Sequence, residues 1–113
     1  MIKIVFGQRC GKQVSYHISG HAEYVEGDEN VYDDVICGVV SNLGQVAILG
    51  VTEVLGLDAP YVAEDGDISL DISRLNCEDI EKCQTLLETV LLGLQNLEIS
   101  YSEYINVLVE EVQ

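Results

Sequence analysis

Between Val35 and Thr52 the chain runs for eighteen residues without a charge, and its apolar side chains fall on nearly every side of a helix. Val35, Ile36, Val39, Val40, Leu43, Val46, Ile48, Leu49, Val51 and Val54 leave no continuous polar face. A helix that is apolar all round is buried on more than one side. Eighteen uncharged, mostly apolar residues also reach the length of a membrane span. Ser41, Asn42, Gln45 and three interior glycines argue against a span, as do flanks that are acidic rather than basic. The spacing therefore predicts a central helix from Asp34 to about Leu55, packed on a sheet and on a partner subunit rather than in lipid.

Gly38, Gly44, Gly50 and Gly56 recur every six residues along this segment and just beyond it. Each interior glycine costs about 0.5–1 kcal/mol relative to alanine, so something must offset it. Close backbone approach near the cysteine at position 37 is one explanation. Tight packing in a crowded core is the other, and it is at least as good for Gly44 and Gly50.

The flanking segments read more simply. Ile2 to Phe6 alternates as a strand, Gly7 to Gly11 turns, and Gln13 to Ser19 alternates again with Val14, Tyr16 and Ile18 on one face. His17 falls on the other face with Ser15 and Ser19. Beyond Pro60, Tyr61 to Glu64 and Asp67 to Ser73 form a second hairpin around Asp65-Gly66, a pair suited to positive backbone angles. Its carboxylates lack calcium-loop spacing and read as a solvated surface. Asn76 suits the cap of a second helix, with Ile80, Cys83, Leu87, Val90, Leu91, Leu94 and Leu97 on one stripe. Ile105 to Val109 closes the chain as a strand. The expected fold is α+β, one domain over residues 1–113, with two helices on a mixed or antiparallel sheet of about five strands in the order β-β-α-β-β-α-β. A chain of this length buries roughly two-thirds of its unfolded surface.

Chemistry concentrates where the first hairpin hands over to the apolar helix. Gly20-His21-Ala22 is followed by a polar loop carrying Gly27, Asp28, Glu29, Asn30 and Asp33, then by Asp34-Val35-Ile36-Cys37. Asp34 has the side chain of a helix N-cap, which places Cys37 in the first helical turn. Unpaired N–H groups and the helix dipole favour an anion there, and a neighbouring imidazolium favours a thiolate. A Cys-His pair so placed is a nucleophile with its general base. The same residues also fit a small buried hydrophobe and a structural imidazole, and residue types alone do not choose between these readings.

The motif Gly20-His21-Ala22, a glycine-containing loop, Asp34-Val35-Ile36-Cys37 and then Ser41 resembles the Prp (YsxB-like) ribosomal-processing cysteine proteases, small single-domain bacterial proteins. The similarity extends to length and element order. The resemblance implies that His21 and Cys37 form a catalytic dyad, with Gly20, Asp34, Gly38 and Ser41 in support. It further implies an endopeptidase that removes the N-terminal extension of large-subunit ribosomal protein twenty-seven during ribosome assembly, in bacteria of the Firmicutes type. Together with the unusually apolar first helix, the resemblance also favours a homodimer; no cofactor and no metal are expected. Two departures stand out: the stretch from His21 to Cys37 is about four residues longer than the family spacing, and Gly38-Val39 replaces a common pair of alanines. Lengthening a surface loop costs little thermodynamically.

Charge and cysteine usage narrow the setting. The net charge is −15, and between Lys12 and Arg74 there is no Lys or Arg against twelve acidic residues. Such a surface repels nucleic acid and favours basic partners. That fits a basic ribosomal protein as substrate, and it fits equally a non-catalytic acidic assembly factor or binding module for one. Cys10, Cys37, Cys77 and Cys83 contain no CxxC pair, and no secretory segment precedes the first strand, so reduced thiols in the cytoplasm are expected. A zinc site from Cys10, His17, His21 and Cys37 lacks the paired short spacings of such centres.

Overall fold

A computed structural model describes residues 1–21 and 31–113; within 31–34 it describes the backbone alone. The order of elements is the expected one: β1 (Ile2–Arg9), β2 (Lys12–Ser19), α1 (Val31–Leu49), a π-helical turn (Gly50–Val54), β3 (Tyr61–Glu64), β4 (Asp67–Asp71), α2 (Cys77–Ser100) and β5 (Ile105–Glu111). The five strands form one sheet in the order β3-β4-β2-β1-β5, antiparallel throughout except for the parallel β1–β5 pair. The fold is α+β with a mixed sheet.

Alternation decides which face of the sheet is covered. Ile4, Phe6, Val14, Tyr16, Ile18, Ile68 and Leu70 are all buried beneath the helices, whereas Lys3 and His17 point to solvent. From the helices, Ile36, Val40, Ala47, Ile48 and Val51 meet Ile80, Cys83, Leu87, Leu91 and Leu94 in the same core. Leu97, the last of the α2 stripe, packs at its margin. Asn76 caps α2 as expected, its side chain accepting from the Asp79 N–H at 2.8 Å.

The helix expected from Asp34 to Leu55 differs at both ends. It starts three residues earlier, at Val31, and its last turn is π-helical, with the Leu55 N–H bonded to the Gly50 carbonyl at 2.9 Å. Asp34 is therefore inside the first turn rather than the N-cap. Acidic residues are favoured throughout a first turn, so carboxylate chemistry alone does not mark the cap position. Val35–Val54 remains long and apolar enough to cross a membrane by length and composition, and a third of it is buried within the fold.

Gly44 and Gly50 are packing glycines. A Cβ on Gly44 would stand 2.7 Å from Cδ1 of Ile18, and one on Gly50 would stand 2.5 Å from Cδ2 of Leu86. Gly38 is different, because a Cβ there would meet nothing within 4 Å.

Candidate active site

Two backbone devices set the position of His21. Gly20 ends β2 with φ +89°, a conformation that L side chains rarely adopt, and a Cβ on it would lie 2.7 Å from the Met1 carbonyl oxygen. Its N–H donates to the Gly66 carbonyl at 3.1 Å. The register of β2 on β4 makes this possible: Ser19 faces Asp67, so the next residue of one strand meets the preceding residue of the other. His21 then leaves the sheet beside the Asp65-Gly66 turn.

The helix brings the thiol to the same place. Cys37 is half-buried in the second turn of α1, on the side that faces β2 and β4, with Val40 and Ser41 one turn further on. Gly20, His21, Cys37, Ser41, Asp65, Gly66 and Asp67 line one small cavity of about 20 Å³, floored by Ile2, Ile18, Val40 and Ile68. Its volume is about that occupied by one water. An apolar floor under a polar rim leaves room for a reacting group while limiting competing solvent.

Four of the expected site residues, Gly20, His21, Cys37 and Ser41, thus meet at one cavity. Gly38 does not join them; it is exposed and faces open space. The side chains of Asp33 and Asp34 lie outside the described residues, as do residues 22–30 with Gly27, Asp28, Glu29 and Asn30. The earlier helix start also alters the anion-binding argument. Orphan N–H groups belong to the first four residues of a helix, here 31–34, and the dipole effect fades beyond that turn. The N–H of Cys37 is within the helical ladder, so it is not a donor for an oxyanion.

His17 sits apart from the cavity wall on the open face of the sheet, where Nε2 lies 2.7 Å from Oδ1 of Asp67. Both partners are about half exposed. All four cysteines are thiols rather than disulfides: Cys10 and Cys77 are exposed, Cys37 half-buried and Cys83 buried. Burial pushes the Cys83 thiol up from its ordinary value.

Sequence reasoning missed the contribution of the β3–β4 turn, which it assigned to solvent. Asp65, Gly66 and Asp67 all contribute to the cavity wall, although the Asp67 carboxylate itself is turned to His17 on the open face. The Asp-Gly pair marks a turn; nothing in its neighbourhood says which distant residue it will meet.

A two-helix, five-stranded α+β fold with a thiol and an imidazole on one cavity defines a class of small candidate thiol enzymes. The family model for the cysteine protease Prp matches residues 1–106, and the chain belongs to the Prp cysteine protease family. Among solved structures it is similar to SMU.848 from Streptococcus mutans, with 28% identity and a TM-score of 0.78 over 99% of this chain and 96% of that one. It is also similar in fold to the essential ribosomal processing protease Prp from S. aureus in complex with a covalently linked product peptide, with 22% identity and a TM-score of 0.70 over 97% of this chain and 100% of that one. The same S. aureus protease in complex with a substrate peptide matches at 22% identity and a TM-score of 0.62, with the same coverage. No curated protein matches the chain.

Proposed function

We propose that the chain is a cysteine endopeptidase that uses Cys37 and His21 to remove the N-terminal extension of large-subunit ribosomal protein twenty-seven during ribosome assembly in the cytoplasm. The observation that carries this reading is that His21 and Cys37, separated by fifteen residues of sequence, line the same cavity. His21 takes the Cys37 proton, and the sulfur attacks the scissile carbonyl carbon. The C–N bond breaks as the imidazolium returns that proton to the leaving amine, leaving a thioester on Cys37. Water then gives a proton to His21 and attacks the thioester, which releases the acid and restores the thiol. Ser41 lines the same cavity one helical turn beyond Cys37. The net charge of −15 suits a substrate drawn from a basic protein.

The protein acts as a homodimer in this reading. Val35, Val39, Val46 and Leu49 are 41–55% exposed along the flank of α1 away from the cavity. An apolar stripe of this kind on a strongly acidic protein is a self-association surface.

Cleavage of a synthetic peptide copying the ribosomal extension tests the assignment. Cys37→Ala and His21→Ala each abolish turnover while circular dichroism stays native. Iodoacetamide alkylates Cys37 more slowly in His21→Ala than in the wild-type protein. Retained cleavage by Cys37→Ala overturns the proposal in favour of a binding module with an ordinary cysteine.

A further inference from the structure

Among the described residues four glycines have positive φ, and their surroundings differ sharply. Gly11 and Gly66 sit at the tips of the two hairpins with nearly equal angles, +77° and +75°. A Cβ on Gly11 would meet nothing within 4 Å. A Cβ on Gly66 would stand 2.7 Å from Nε2 of His21, 3.2 Å from Cε1 and 3.5 Å from Cδ2. Turn geometry accounts for both glycines; only Gly66 also has an imidazole lying in the space a side chain would fill.

We infer that Gly66 is a positioning residue: the absence of its side chain is the seat on which the His21 ring rests at the cavity. Three observations support it. The His21 ring lies against the Gly66 α-carbon, the Gly66 carbonyl accepts the Gly20 N–H at 3.1 Å, and Gly66 and His21 both line the cavity that Cys37 lines. The turn therefore fixes the residue before His21 by its carbonyl and the ring itself by its bare α-carbon. His21 is exposed to solvent. A Cβ contact under 3.0 Å forces something to shift, and here what gives is the exposed ring rather than the backbone, so an L side chain at position 66 turns the ring away from its present place. This inference rests on the proposed role of His21 for its functional consequence, but its geometric part stands alone.

The experiment uses the only two histidines of the chain, His17 and His21, as NMR reporters. In the wild-type protein a nuclear Overhauser effect connects the His21 Cε1–H to the Gly66 α-protons; its absence overturns the inference without any variant. Gly66→Ala moves the His21 Cε1–H resonance and leaves that of His17 in place, lowers kcat for the ribosomal peptide about 100-fold, as a misplacement near 1 Å does, and leaves KM within about twofold. Gly66→Asn, which accepts positive φ more readily, does the same with less loss of folding. Gly11→Ala carries the same backbone strain at the remote turn and changes neither resonance nor kcat. If Gly66→Ala behaves like Gly11→Ala, the seat is refuted while the protease proposal survives. If the His21 resonance moves and wild-type turnover is itself insensitive to Cys37→Ala, the seat survives and the protease proposal falls.

Discussion

The phenol of Tyr16 donates to the carbonyl oxygen of Gly44 at 2.5 Å, tying the strand that leads to His21 to the helix that carries Cys37. Burial raises the Tyr16 phenol well above its ordinary 10.0. Above that pH the unfolded chain releases the proton while the native one keeps it, so the unfolded state binds fewer protons and stability falls as pH rises. Urea denaturation at pH 7, 10.5 and 11.5 measures the slope. Tyr16→Phe costs about 1 kcal/mol at pH 7 and flattens the alkaline loss; a slope unchanged in that variant would assign it to another group.

Two glycines on one helix respond in opposite directions to the same change. Gly38→Ala places a methyl in open space within a helix and stabilises by about 0.5–1 kcal/mol. Gly44→Ala drives its methyl into Ile18 and Ile68, 2.7 and 3.1 Å away, and destabilises by about 1–3 kcal/mol. Thermal unfolding of the two variants separates them, with a higher Tm for the first and a lower one for the second.

Gln84 is a buried amide that completes the start of β2. Its Oε1 accepts the Gln13 N–H at 2.8 Å, and its Nε2 donates to the Gln13 carbonyl at 2.9 Å and to the Ile80 carbonyl at 3.0 Å. Gln84→Leu fills the space but orphans the Gln13 backbone pair, and costs about 2–3 kcal/mol in chemical denaturation. Gln84→Glu keeps one acceptor and loses the donors, with a cost at least as large at neutral pH. A neutral result for Gln84→Leu would mean that water reaches Gln13.

The apolar flank of α1 accounts for the proposed dimer. Val46, 44% exposed and away from the cavity, is the position to test. Val46→Asp puts a charge into the core of an isologous contact, where each copy meets its own image, and shifts the sedimentation profile from dimer to monomer. Unaltered sedimentation places the dimer contact elsewhere or removes it.

Periodicity carried most of the fold. The alternation of Val14, Tyr16 and Ile18 and the stripe from Ile80 to Leu94 set faces that are buried as expected, because solvent exclusion acts on each element's own pattern. The start of α1 was less legible. Asp34 has the best capping side chain in its stretch, but Val31 begins the helix, since several neighbouring residues serve a helix start almost equally well. The glycines of α1 were ambiguous for a similar reason: Gly44 is required by Ile18 and Ile68, which lie far away in the sequence.

Amino-acid order alone determined the elements, their succession, the apolar helix that must be covered on several sides, and the residue types His21 and Cys37 that meet at the cavity. Those properties are local, set by spacing of three to four residues in helices and two in strands. Only tertiary structure decided that the Asp65-Gly66 turn stands beside His21 and that Cys37 occupies a second helical turn rather than a first. The pairing of Ser19 with Asp67 across β2 and β4 makes the first choice. It joins residues nearly fifty positions apart through backbone hydrogen bonds, and backbone groups are the same whatever side chains they carry.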